Sequence, residues 1–271
     1  MSWFVRAVLI FSAVHWIGEG MMTETPPRSS RIAKASDVLA DDLRSWILGE
    51  ALPPDAPVPS ETEIMRDWGF SRGTVREALR LLENDGLIVT RRGPKGGIRV
   101  RRPEVAQVSR ALALILSSNE TPLRDLFAYR KLVEPAVAAA AARDATPEQR
   151  VWLKSIAEAG DAPNEDWQMS IEFHVALGRA SNNGLFDILM TALHDSLEWQ
   201  MSGENLSPTN VDEVTRAHAS IAEAVFLGDA DLASRRMRAH VDAFEAILVE
   251  QRRLDEPVIP RSMWKRRANR G

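Results

Sequence analysis

Between residues 36 and 102 apolar positions recur at helical spacing three times and then alternate. Val38, Leu39, Leu43, Trp46 and Ile47 make one stripe, framed by Ser36 as a capping residue and Gly49 as a stop. The following ALPPDAPVP is too proline-rich for a helix or a central strand. A second helix starts after Ser60, where Glu63 completes capping-box spacing and Ile64 and Trp68 face inward; Gly69 ends it. A third runs from Ser71 to Asp85, burying Val75, Ala78, Leu79 and Leu82. Gly86 closes it. Residues 87–90 and 98–100 then read as two short strands around the hairpin RRGPKGG.

From Glu104 to Arg253 the period stays helical. Segments fall near 104–118, 122–143, 147–160, 165–181, 185–202, 208–227 and 229–251, with breaks at proline, glycine and asparagine clusters. Acidic first turns at Glu148, Asp212 and Asp231 support three of those starts, and Pro135 should kink the second segment. The pattern predicts a mainly α chain: three helices with a two-stranded wing, then an all-α antiparallel bundle.

The ends are set apart. Residues 3–17 are apolar but broken by Arg6 and His15, too short for a confident membrane span. A signal peptide lacks a clean cleavage site there, and Met21 and Met22 offer a later start, so residues 1–22 are left out of the fold. The expected units are a leader over 1–35, a winged helix over 36–102, a helical domain over 103–253 and a basic flexible tail over 254–271. The chain has 271 residues and no cysteine, which excludes disulfides and cysteine zinc sites and fits a cytoplasmic location.

Net charge is -4, but it is unevenly distributed. Residues 28–102 carry 14 basic and 11 acidic residues; residues 103–256 carry 14 and 25; the last fifteen carry five basic and none acidic. One part can meet phosphate while the other should avoid it. Within the basic part, a helix-turn-helix puts the start of its third helix deepest in the groove. Arg72 is the candidate for a base edge, Ser71 and Thr74 for phosphate, and Arg76 for a phosphate or a base. Arg91, Arg92, Gly93 and Lys95 form the wing that lies along the sugar-phosphate wall. Arg66 and Arg80 read as solvated or ion-paired residues, and Arg76 has the alternative of pairing near Glu77 or Glu83.

The residues P-S-E at 59–61, S-R-x-T-V-R-E-A-L at 71–79 and L-E-x-x-G-L at 82–87, followed by the basic hairpin, resemble the winged helix of the GntR family of bacterial regulators. The resemblance covers Leu43 to Val100. It implies DNA contacts at Ser71, Arg72, Thr74, Arg76, Arg92 and Gly93. Where some relatives use an arginine early in helix two, this chain has Thr62.

In the helical part His174, His218 and His240 fall on the apolar sides of three different segments, flanked by Ile171 and Leu177, Ile221 and Val225, and Met237 and Phe244. A bundle-core metal site needs such convergence, and imidazole suits zinc, nickel and similar ions. His194 reads as a surface or supporting residue. Arg130 has two readings: an i,i+4 ion pair with Glu134, or a guanidinium gripping an effector carboxylate. Asn183 either lines a pocket or caps a helix.

R-K-L-V-E-P at 130–135, E-F-H at 172–174, A-S-N-N at 180–183, A-H-A-S-I at 217–221, G-D-A at 228–230 and M-R-A-H-V at 237–241 are similar to the FCD domain of the FadR-like branch. That resemblance implies a divalent ion held by His174, His218 and His240 with an aspartate one turn before the first. That position is Ser170 here; Glu172 points elsewhere and Asp166 lies two turns away. A weakened site, one completed by the effector, and none remain open.

The expectation is a transcription regulator, not an enzyme. As a homodimeric repressor it would bind a double-stranded operator and be controlled by a small organic acid, with no membrane partner. The alternatives are a metal-responsive sensor and a histidine-ligated metalloenzyme. No H-E-x-x-H or E-x-x-H motif supports the last.

Overall fold

The computed structural model describes residues 33–93, 96–159, 167–201, 208–262 and 264. The N-terminal unit runs α1 (Ala35–Gly49), β1 (Pro57–Val58), α2 (Glu61–Trp68), α3 (Arg72–Asn84), β2 (Ile88–Arg91) and β3 (Gly97–Val100). Ser60 and Glu63 close a reciprocal capping box at the start of α2, and Gly69 ends it in the left-handed conformation at φ 73°. Leu39, Leu43, Ile64, Val75, Leu82 and Ile88 fill the core between helices and sheet.

Two local expectations need correction. The capping residue of α1 is Lys34, without a side-chain bond, and Ser36 is buried in the first turn instead. The sheet has three strands in the order β1-β3-β2, all antiparallel, with Pro57 opposite Arg99 and Arg91 opposite Gly97. The proline-rich loop supplies an edge strand, where a missing N–H is tolerated.

Among the described residues seven helices follow: α4 (Val105–Ser118), α5 (Leu123–Asp144), α6 (Pro147–Ala159), α7 (Trp167–Ala180), α8 (Gly184–Met201), α9 (Pro208–Phe226) and α10 (Ala230–Glu250). They match the seven segments read from periodicity. α10 packs on α5, α6 on α7 and α9, and α8 on α7 and α4. Phe127, Phe173, Leu177, Met190, Ile221 and Met237 lie at the centre of a core separate from that of the winged helix. Arg150 reaches across two helix ends, donating to the carbonyls of Ala142 and Ala145 at the end of α5 and of Val225 and Phe226 at the end of α9.

The expected flexible tail is folded over its first part. Val258 and Ile259 are fully buried in the helical core. Leu123 and Arg124 donate backbone bonds to Glu256 and Leu254, Val258 donates to Thr121, and the Trp264 indole N–H reaches Ser117 Oγ at 2.9 Å. Two buried aliphatic side chains stabilise this by about 1.5–3 kcal/mol each, and the backbone pairing removes the desolvation cost. The flexible-leader expectation for 1–32 and the tail from 265 onward lie outside the described residues.

Candidate functional site

The turn between α2 and α3 is built from its caps. Ser71 Oγ accepts from the Thr74 amide at 3.3 Å and lies 2.9 Å from Thr74 Oγ1, so both hydroxyls sit together at the start of α3. Arg72 beside them is exposed and makes no ion pair among the described residues. Arg76 stands 3.9 Å from Glu61 of α2 instead of pairing near Glu77 or Glu83. Glu83 is committed elsewhere, accepting from the Thr90 amide and hydroxyl and tying α3 to β2. Arg80 pairs loosely with Glu77 and Arg66 with Asp67.

In the hairpin, Gly93 has φ 105° and accepts from the Gly96 amide at 2.9 Å. A Cβ on Gly96 would lie 2.2 Å from the Arg91 carbonyl, so the tight turn requires glycine there. Arg92 is exposed at this turn. Arg91 is 2.8 Å from Asp55, a half-exposed pair of the kind that contributes little stability in water. Lys95 lies outside the described residues.

The second candidate site is deep in the helical domain. His174 on α7, His218 on α9 and His240 on α10 are all buried. Their Nε2 atoms converge: His218 to His240 is 3.2 Å, and His240 to His174 is 3.4 Å. Two imidazole nitrogens at about 2.0–2.1 Å from one tetrahedral zinc stand about 3.3 Å apart, so the spacing fits a single ion. Burial first, and then the neighbouring charges, hold His240 at a pKa of about 3 and His218 well below the ordinary histidine range. Both rings are therefore neutral at pH 7 and have lone pairs to offer.

Behind His174 stands Glu134, fully buried on α5. Its Oε1 accepts from Arg130 Nε at 2.6 Å, and its Oε2 from the same guanidinium at 3.3 Å. Oε2 is also 3.0 Å from His174 Nδ1, at an angle short of good hydrogen-bond alignment. Burial alone would raise this carboxyl; Arg130 and His174 outweigh it and hold it well below the usual carboxylate range. Arg130 is itself buried, 5.1 Å from the Phe127 ring centroid, with one terminal nitrogen 3.5 Å from His174 Nε2. Of its two sequence readings the ion pair with Glu134 is the one seen, and the guanidinium also faces His174.

His194 joins this group and is not a surface residue. Gly178 packs so closely on Met190 that a Cβ would lie 3.0 Å from the Met190 side chain. One turn from each, the His174 and His194 rings stack at 5.2 Å. His194 Nδ1 is 2.8 Å from the Met190 carbonyl; Nε2 is buried, unpartnered and 3.7 Å from Glu134 Oε1. Burial and His174 lower its pKa to about 3. The signal for both residues was apolar context: Glu134 sits in VEPAVA, and His194 is flanked by Leu193 and Leu197.

Asn183 takes the capping alternative. It is exposed, and its Oδ1 accepts from the Leu185 and Phe186 amides at the start of α8. The side chains of Ser170 and Asp166 lie outside the described residues. A cavity of about 280 Å³ opens between α9 and α10, lined by Val214, Ala217, Arg236, His240, Phe244 and Ile247 among others. Arg236, which donates to the Ser220 carbonyl, was not singled out from the sequence.

A winged helix with an exposed arginine at the head of its recognition helix, joined to a helical domain with a buried polar cluster, defines a DNA-binding transcription regulator. Residues 35–100 match the family described as bacterial regulatory proteins, gntR family, and residues 125–243 match the FCD domain. The chain belongs to the GntR family and carries an FCD domain. It is 29% identical over 220 residues to the "Putative L-lactate dehydrogenase operon regulatory protein" of Escherichia coli K12, covering 77% of this chain and 84% of that protein. It is 27% identical to the HTH-type transcriptional repressor NanR of Cronobacter sakazakii, covering 78% and 84%. A solved Streptococcus agalactiae GntR structure superposes with a TM-score of 0.60 at 25% identity, covering 78% of this chain and 99% of that one. These relatives are regulators, so the metalloenzyme alternative falls. No described helix is long and apolar enough to cross a membrane.

Proposed function

We propose that this protein is a homodimeric repressor, acting on DNA in the cytoplasm, that a small organic acid releases from its operator. The observation that carries this reading is the clustering of three converging imidazole nitrogens with the Arg130 guanidinium in one buried site. A carboxylate is the anion class that a guanidinium fork and a metal-competent donor set recognise together. The cavity beside His240, with Arg236 in its wall, has the size of a small acid.

At the DNA end, Arg72 reads a base edge while Ser71, Thr74 and Arg76 bond phosphates. Arg92 and Gly93 lie along the backbone, and Arg91 exchanges Asp55 for phosphate. Two copies would place two recognition helices on two half-sites. His174, His218 and His240 would hold a divalent ion, zinc or nickel in character. That ion would supply a positive centre for an acid carboxylate, with one coordination position left for it. Control requires the acid to bind one arrangement of the heads better than the other.

The test is operator binding measured in a gel shift with zinc-loaded protein against a panel of small hydroxy and keto acids. At least one acid should weaken binding. If chelation alone releases DNA and no acid has an effect, the ion itself is the signal.

A further inference from the structure

We infer that Glu134 is the positioning residue of the histidine cluster, holding His174 as the Nδ1–H tautomer so that its Nε2 lone pair faces His218 and His240. The two nitrogens of the His174 ring meet opposite chemistry. Nδ1 lies 3.0 Å from Glu134 Oε2, and an ionised carboxylate only accepts. Nε2 lies 3.5 Å from an Arg130 terminal nitrogen, and a guanidinium only donates. Both ends therefore require the same tautomer, with the hydrogen on Nδ1 and the lone pair on Nε2.

His194 cannot take over this role. Its Nδ1 must carry hydrogen to reach the Met190 carbonyl, so its Nε2 has none to offer Glu134. The carboxylate therefore serves Arg130 and His174 together. In metal centres such a carboxylate behind a ligand imidazole fixes ring orientation and raises its basicity. The residue one turn before His174 is a serine, and the carboxylate of this cluster, Glu134, stands behind the ring at Nδ1 instead of beside the Nε2 atoms. The same carboxylate joins the candidate metal ligands to the guanidinium proposed to grip the acid. Only the purpose of the arrangement rests on the metal reading; the tautomer does not.

The test uses full-length protein labelled with ¹⁵N-histidine, whose ring nitrogens report their protonation in long-range ¹H–¹⁵N spectra. In metal-free wild type His174 should show a bare Nε2. In Glu134→Gln the amide oxygen must face Arg130, so the amide NH₂ faces Nδ1; with donors at both ring nitrogens the Nδ1–H form loses its acceptor, and a fraction of the ring hydrogen should appear on Nε2. Zinc affinity, read by competition with a chromophoric chelator, should fall about 10–100-fold. Should that variant fail to fold, Arg130→Met with Glu134→Met removes the buried pair at similar volume and keeps the question open to measurement. A folded variant that keeps the wild-type tautomer and binds zinc within about twofold of wild type overturns the proposal, and so does a wild-type His174 carrying its hydrogen on Nε2. A tautomer that moves as expected in a protein taking up no zinc leaves Glu134's role standing and removes the metal reading alone.

Discussion

His218 Nε2 and His240 Nε2 lie 3.2 Å apart in a buried cluster. Without an ion, one ring must donate to the other; around an ion, both direct lone pairs at it. His218→Ala is therefore expected to abolish zinc binding, from about one ion per chain to none. Elemental analysis of dialysed protein checks this, and a full zinc complement in the variant would place the site elsewhere.

The buried rings also set an acid dependence. His194 and His240 titrate near 3 in the fold, below the ordinary histidine value, so the unfolded chain binds more protons than the native one. Their stabilising share is fully present above about pH 6.5 and is lost as pH falls from there towards 3. Glu134, held well below its usual range, adds loss of the same sign at lower pH. Metal-free protein should melt at a lower temperature at pH 5 than at pH 7.5. Equal melting points would show that the rings are charged in the native state.

Arg72 and Arg92 should behave differently at the operator. Arg72→Ala is expected to erase preference at one base position, worth about 1–3 kcal/mol, with the fold intact. Arg92→Ala should weaken all DNA alike and reduce the salt slope by about one. Salt titrations on operator and random duplexes separate the two.

Arg150 holds the ends of α5 and α9 through four carbonyls. Arg150→Met keeps the stem but orphans those acceptors, and should cost on the order of 3 kcal/mol in urea unfolding. A loss below about 0.5 kcal/mol would mean that water replaces the guanidinium fully.

Ending the chain after Arg253 removes Val258 and Ile259 from the helical core. That truncation should lower the melting temperature by several degrees, while ending it after Trp264 should change it little. Equal melting points would contradict the packing.

Local signals carried most of the architecture. Ser60, Glu63 and Ser71 announce helix starts through short-range bonds that the chain makes with itself. The seven bundle helices follow from spacing alone. The strand at Pro57–Val58 escaped because its pairing with β3 depends on a partner forty residues away. The buried tail escaped for the same reason: Val258 and Ile259 are unremarkable until Thr121 and Leu123 offer backbone partners to Val258 and Glu256.

The GntR-type DNA-binding head and the placement of three histidines on inner faces of three helices were legible in the chain alone. Those are questions of residue type and period. Only tertiary structure decided that Glu134 and His194 belong with them, that Arg130 serves two neighbours, and that Asn183 does not. A side chain's partners depend on which helices touch, and Gly178 against Met190 fixes that contact between α7 and α8.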